Sequence, residues 1–169
     1  MMCRTGTPEE KGGGVSCILI PKDTPGMSFG SNEEKMGWKC QPTRQIIFED
    51  CRVPVTNRVG EMGKGFDMAK AGLDGGRLSI GACSLGAATE CFNIAVAYAK
   101  ERKQFGKAII KNQAIQFKLA KMAEDLCTSR LALRNAAKML DEGHPLAPVY
   151  CAMAKKIATD KGFDVCNEA

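Results

Sequence analysis

Two short segments of the chain carry residue types suited to binding anions and flat rings. In Leu73-Asp74-Gly75-Gly76-Arg77, a carboxylate and a guanidinium flank two glycines. Glycine has no Cβ, so such a segment lets a ligand approach the backbone closely, and it equally fits a capping turn at a helix entry. In Glu101-Arg102-Lys103-Gln104-Phe105-Gly106-Lys107, a basic helix end closes on Phe105 and Gly106 and is followed by Asn112-Gln113. Arg102 can grip a phosphate through two parallel hydrogen bonds, and Phe105 can lie against a flat ring. The net charge of +5 is concentrated here, because residues 61–112 hold 8 basic and 5 acidic groups whereas 1–60 and 113–169 each hold 8 and 7. Lys100, Arg102, Lys103, Lys107 and Lys111 stand against one acid, Glu101. A compact anion such as a pyrophosphate is the economical ligand for this patch, and a solvated helix end is the alternative. With no long basic tract, no aromatic interleaved beyond Phe105 and no known nucleic-acid module, nucleic acid is not expected as a partner.

Other residues invite chemistry and do not support it. Gly60-Glu61-Met62-Gly63-Lys64-Gly65 follows neither phosphate-loop nor dinucleotide spacing, and Lys64 precedes Gly65 instead of Ser or Thr. It reads as a turn leading into a helix near Phe66–Ala69. His144, the only histidine, stands beside Pro145 with no nucleophile arranged near it. Glu33-Glu34 and Glu49-Asp50 are adjacent carboxylates, which point to opposite faces of an extended chain and so do not converge. The nine cysteines contain no CxxC pair. Several fall in helical patterns where Cys acts as a small hydrophobe, which favours a reducing compartment over a disulfide framework, and no zinc-ligand spacing is present.

The elements that must position these residues change character near residue 59. Val15–Ile20, following Gly12-Gly13-Gly14, and Gln45–Asp50, following Pro42, read as strands, with a turn at Thr24-Pro25-Gly26 and a short strand at Met27–Phe29. Beyond residue 59 a helical period takes over. Leu119, Leu126, Leu133 and Leu140 recur every seven residues between Gln113 and Glu142, with Ile115, Met122 and Ala136 on companion positions. Gly143 supplies a stop, and Pro145 can open a third helix near Leu146. An earlier helix, about Leu78 to Lys100, carries Leu85, Phe92 and Ala99 among small residues that permit close helix approach. Charged residues are expected to interrupt every apolar run short of the roughly 18 residues a membrane span needs. The fold class is α+β, a remnant of an antiparallel β domain over 1–58 followed by long antiparallel helices over 59–169. Both ends look cut, so a piece of a longer protein is expected over a complete small α+β protein.

The order and spacing of Gly37-Trp38-Lys39-Cys40-Gln41-Pro42-Thr43-Arg44, Phe48-Glu49-Asp50-Cys51-Arg52-Val53-Pro54, Gly63-Lys64-Gly65-Phe66, Leu73–Arg77 and Tyr98–Gly106 resemble the acyl-CoA dehydrogenase family from about residue 15 to the last residue. Within it the likeness is closest to the branch acting on a short branched acyl thioester of the isobutyryl-CoA kind, as in valine breakdown. The resemblance implies the end of a central β domain and the first helices of a four-helix C-terminal domain, in a homotetramer built around FAD. It implies that a Glu removes the C2 proton of the acyl-CoA while a hydride leaves C3 for the flavin, with electrons passing to an electron-transfer flavoprotein. It places Asp74, Gly75, Gly76 and Arg77 against acyl-CoA, and Arg102, Phe105, Asn112 and Gln113 against the FAD of a neighbouring subunit. Gly76 occupies the position where a subgroup of the family carries its Glu, so no catalytic base is expected within these residues and the chain alone is expected to be inactive. The mitochondrial matrix is implied for a eukaryotic source, the cytoplasm otherwise. A neighbouring substrate preference within the family, and a non-catalytic module that uses the bundle for association or CoA binding, are the alternatives.

Overall fold

A computed structural model describes all residues, 1–169, as two compact units, Met1–Ala69 and Lys70–Ala169. In the first, β1 (Met2–Arg4), β2 (Val15–Ile18) and β5 (Arg58–Val59) form an antiparallel sheet in the order β1-β2-β5. β3 (Met27–Asn32) and β4 (Arg44–Phe48) form a separate antiparallel pair, with Met27 opposite Phe48 and a register shift between Phe29 and Asn32. Gly12-Gly13-Gly14, just before β2, end a 3₁₀ segment, Pro8–Gly14, at whose start Thr7 and Glu10 build a capping box.

The Gly60–Gly65 segment is a turn with a structural role. Gly60 and Gly63 have positive φ, and a Cβ at Gly63 would stand 2.3 Å from the Gly13 carbonyl oxygen. The Gly63 amide donates to the fully buried Ser16 hydroxyl, which also shares a 2.6 Å hydrogen bond with Thr5. The space beside Gly60 is filled by the Met68 side chain and that beside Gly63 by the Gly13 carbonyl and the bond to Ser16, so both glycines are used in packing.

Three helices follow: α1 (Gly65–Glu101), α2 (Gln113–Asp141) and α3 (Ala147–Glu168). In the second unit α2 and α3 run antiparallel: Leu133 and Ala136 meet Cys151, Ala154 and Ala158, while Met122 and Leu126 meet Val165. α1 is parallel to α3, with Leu78 and Leu85 on the first cluster and Ala88, Phe92 and Ala95 on the second. The leucine stripe is therefore core, with Leu126 and Leu133 buried and Leu119 and Leu140 packed at its edges. Gly143, at φ 64°, ends the α2 turn as expected. Pro145 lies in the connection and Pro148 takes the first turn of α3, a one-turn difference that fits the fixed φ of proline at a helix start.

Two expectations for α1 are corrected. The helix expected near Phe66–Ala69 and the one expected from about Leu78 are one helix, which begins at Gly65 and runs unbroken through Leu73–Arg77. A continuous line of side chains at Asp74, Arg77, Leu78, Gly81, Leu85 and Ala88 faces inward, and its burial outweighs the roughly 1 kcal/mol that each interior glycine costs a helix. α1 is also long and apolar enough, by length and composition, to cross a membrane, which the sequence reading did not expect, although Glu90 interrupts its apolar run. In this unit that apolar stretch packs on α2 and α3.

Candidate functional site

The residues expected to bind ligands fall into two clusters at opposite ends of the helical unit. Asp74, Gly75, Gly76 and Arg77 lie near the start of α1, and Arg102, Phe105, Asn112 and Gln113 lie in the connection between α1 and α2. The 24 helical steps from Arg77 to Glu101 span about 36 Å at 1.5 Å per residue. No single small ligand bridges the two clusters within one chain.

In the first cluster, Arg77 and Asp74 share one face of α1, three residues apart, and the Arg77 Nη1 donates to the Asp74 Oδ1 at 2.7 Å. The Asp74 side chain is largely buried and Arg77 half-buried, so much of the guanidinium's charge is already answered inside the helix. Beneath them on α3 the Cys151 thiol is fully buried. Its pKa is raised, first by burial and then by the Asp74 carboxylate, with Arg77 pulling the other way. Cys151 is thus an inert core thiol. Gly75 and Gly76 face outward, and a Cβ at either would meet nothing within 4 Å. No contact within the chain requires a glycine at those two positions.

The second cluster is built by a feature that sequence periodicity missed. Arg102 leaves α1 with its amide still donating to Tyr98, and β6 (Lys103–Gln104) and β7 (Lys107–Ala108) then form a tight antiparallel hairpin. The hairpin tip is Phe105-Gly106, with φ of 52° and 77°, the paired positive values that a two-residue type I′ turn demands. The Ile109 amide donates to the Arg102 carbonyl and closes the base of the hairpin. A short 3₁₀ turn, Ile109–Lys111, leads to Asn112, the N-cap of α2, and to Gln113, its first residue. The Asn112 side chain makes no capping hydrogen bond, so its amide remains available outward. The signal in the sequence was Phe-Gly between two basic, strand-compatible pairs.

This connection concentrates positive charge. Lys100, Arg102, Lys103, Lys107 and Lys111 are all exposed, and none forms an ion pair or side-chain hydrogen bond within the chain. Several lysines of α2 and α3 contrast with this. Lys121 and Lys161 both reach the buried Asp125, at 2.8 and 3.4 Å, and Lys118 pairs with Glu168. Phe105 is 95% exposed at the hairpin tip. A fully exposed ring held at positive φ, among five unanswered cations and at the start of a helix, suits an anionic ligand with a flat ring system. The residues present fit the pyrophosphate and ring of a flavin nucleotide.

His144 is exposed and accepts the Leu146 amide on its Nδ1 at 3.1 Å, a local turn contact. Glu33, Glu34, Glu49 and Asp50 are all exposed, as separate solvated carboxylates would be.

The architecture and sequence have clear relatives. The family description "Acyl-CoA dehydrogenase, C-terminal domain" matches residues 63–169. The mitochondrial isobutyryl-CoA dehydrogenase of Dictyostelium discoideum is 54% identical over 100% of this chain, and that of Bos taurus 51% identical over 100%. The solved butyryl-CoA dehydrogenase of Megasphaera elsdenii superposes with a TM-score of 0.93, at 38% identity, over 99% of this chain and 43% of that one. The chain spans about 40% of the length of these isobutyryl-CoA dehydrogenases. With the family description covering more than half of the chain, and the helical unit and preceding strands both aligned in these relatives, the chain belongs to the acyl-CoA dehydrogenase family.

Proposed function

We propose that the chain is the end of the central β domain (1–58) and the first helices of the C-terminal helical domain (59–169) of a flavin-dependent acyl-CoA dehydrogenase. The protein would oxidise the C2–C3 bond of a short branched acyl-CoA of the isobutyryl kind, in valine breakdown, and pass electrons to an electron-transfer flavoprotein. The observation that carries this reading is the hairpin at Arg102–Ala108, where unpaired cations surround an outward Phe105.

In this reading Arg102 would hold the FAD pyrophosphate, Phe105 would pack on the cofactor, and Asn112 and Gln113 would complete the contact at the helix start. The flavin would supply the two-electron acceptor that no side chain provides. Asp74 orients Arg77, and the bare backbone at Gly75 and Gly76 admits the acyl-CoA against α1. The 36 Å between the clusters is answered by a homotetramer in which one subunit's hairpin reaches the cofactor that lies by another subunit's substrate segment. Gly76 stands where, by the resemblance, a subgroup of the family carries its Glu, so the C2 base would come from outside these residues and the chain alone would be inactive. A eukaryotic source would place the protein in the mitochondrial matrix, a reading supported by the word mitochondrial in the names of the two isobutyryl-CoA dehydrogenases.

The test is a panel of straight and branched acyl-CoAs on the full-length protein with an electron acceptor, together with flavin analysis of the purified protein. Preference for isobutyryl-CoA with bound FAD is expected. Equal kcat/KM on butyryl-CoA and isobutyryl-CoA would remove the branched assignment, and a flavin-free protein with no dehydrogenation would favour the association module.

A further inference from the structure

The strongest feature that the proposed function leaves unused lies between α1 and α3. The two helices run parallel at unusually short range. A Cβ at Gly81 would stand 3.5 Å from the Lys155 Cα, and one at Gly162 would stand 2.3 Å from the Ser84 Oγ and 3.3 Å from the Ser84 carbonyl oxygen. The Ser84 hydroxyl donates to the Ala158 carbonyl at 3.2 Å. Backbones brought this close by glycines fall in the range that a disulfide can bridge.

The register extends to two cysteines. The α1–α3 contacts at Gly81 and Ser84 join residues whose numbers differ by 74 to 78, and Cys91 and Cys166 differ by 75. Ala88 and Val165, one turn before Cys91 and one residue before Cys166, share a buried cluster. Cys91 continues the inward line of Gly81, Ser84 and Ala88, and the Cys166 thiol lies beside the Cys91 thiol. Cys166 is exposed and Cys91 half-buried, so small oxidants can reach the pair. Of the other cysteines in this unit, Cys83 is exposed and lies off that inward line, Cys127 is exposed on α2, and Cys151 is buried in the core.

We propose that Cys91 and Cys166 are an oxidation site, a thiol pair that closes into a disulfide between α1 and α3 in the presence of a hydroperoxide. One thiolate attacks a peroxide oxygen and breaks the O–O bond, becoming a sulfenic acid and releasing water once the departing hydroxide takes up a proton. The second thiol then attacks that sulfur, the S–S bond forms, and the sulfenic oxygen leaves as a second water. Two thiols lose two electrons, and one hydrogen peroxide gains them.

The test treats the full-length protein with hydrogen peroxide, or with dithiothreitol, then blocks free thiols and digests with trypsin. The peptide Leu78–Lys100 joined to the peptide beginning at Gly162 is expected only after oxidation, with fragment ions placing the link at Cys91. C91S and C166S should each abolish the link, C83S should retain it, and circular dichroism shows that each variant is folded. Free Cys91 and Cys166 after oxidation of the folded protein would overturn the proposal, as would a link that survives C91S. The outcome is independent of flavin content and of acyl-CoA turnover, so it stands or falls separately from the proposed function.

Discussion

Replacing Arg102 by Leu isolates the charge that the flavin reading requires. The Arg102 side chain has no ion pair or hydrogen bond within the chain, and its backbone contacts to Tyr98 and Ile109 persist in any residue. An exposed substitution of this kind changes stability by about 0.5 kcal/mol or less. The loss should therefore appear almost wholly in ligand affinity. A hydrogen bond to a charged group contributes about 1.5–3 kcal/mol, which corresponds to a roughly 10- to 150-fold rise in the Kd for FAD. Lysine keeps the charge but not the planar fork, so R102K should fall between wild type and R102L. The assay is fluorescence titration of the full-length apoprotein with FAD, beside thermal unfolding of each variant without flavin. An R102L protein that unfolds at the wild-type temperature and binds FAD with unchanged affinity would refute the assignment. Raised salt should weaken wild-type binding and narrow the gap to R102L, since the patch is exposed.

The remaining predictions concern the scaffold. Leu133→Ala, at 8% exposure in the first core cluster, should lower the unfolding free energy by about 2–5 kcal/mol in denaturant melts, and a change under 1 kcal/mol would mean that the stripe is not core. Asp125 is buried, and although burial opposes its ionisation, Lys121 and Lys161 hold its pKa below the ordinary carboxylate value. Its contribution is therefore present above the unfolded value, near 3.9, and is lost as pH falls through the folded one, so the stability gap between wild type and D125N should close as pH drops below about 4. A gap that stays constant from pH 7 to pH 3 would sink that account. Gly76→Ala should stabilise α1 by up to about 1 kcal/mol, because its Cβ meets nothing, while raising KM for acyl-CoA. Unchanged KM with the stability gain would leave Gly76 without a binding role.

The strands at Val15 and Arg44, the leucine stripe of α2 and the stop at Gly143 were legible because each is a local signal: β-branched runs between turns, a seven-residue period, and a residue needing positive φ. Two features were not. The continuity of α1 through Leu73–Arg77 was hidden because Gly72, Gly75 and Gly76 argue against helix, and the burial of Arg77, Leu78 and Gly81 that overrides them is a long-range effect. The hairpin between α1 and α2 was hidden because its strands are two residues each, too short for any alternation to register. The basic cluster itself was visible by counting charges. That its members are unpaired, and that Phe105 stands clear of the fold, became evident only in three dimensions.

The glycines of α1 separate into two kinds, and the separation bears on function. Gly81 is fixed by packing: its missing Cβ leaves room for Leu133 on α2 at 2.8 Å and for the α3 backbone at Lys155, as Gly162 in turn leaves room for Ser84. Gly72, Gly75, Gly76 and Gly86 are fixed by nothing inside the chain, since a Cβ at any of them would enter open space. A helix loses roughly 1 kcal/mol at each such position relative to alanine. Gly75 and Gly76 incur that cost side by side, next to the Asp74–Arg77 pair and on the face turned away from α2 and α3. If a bound group does not press against that stretch of backbone, the glycines are a net loss, and replacing both with alanine should yield a more stable protein with undiminished acyl-CoA binding.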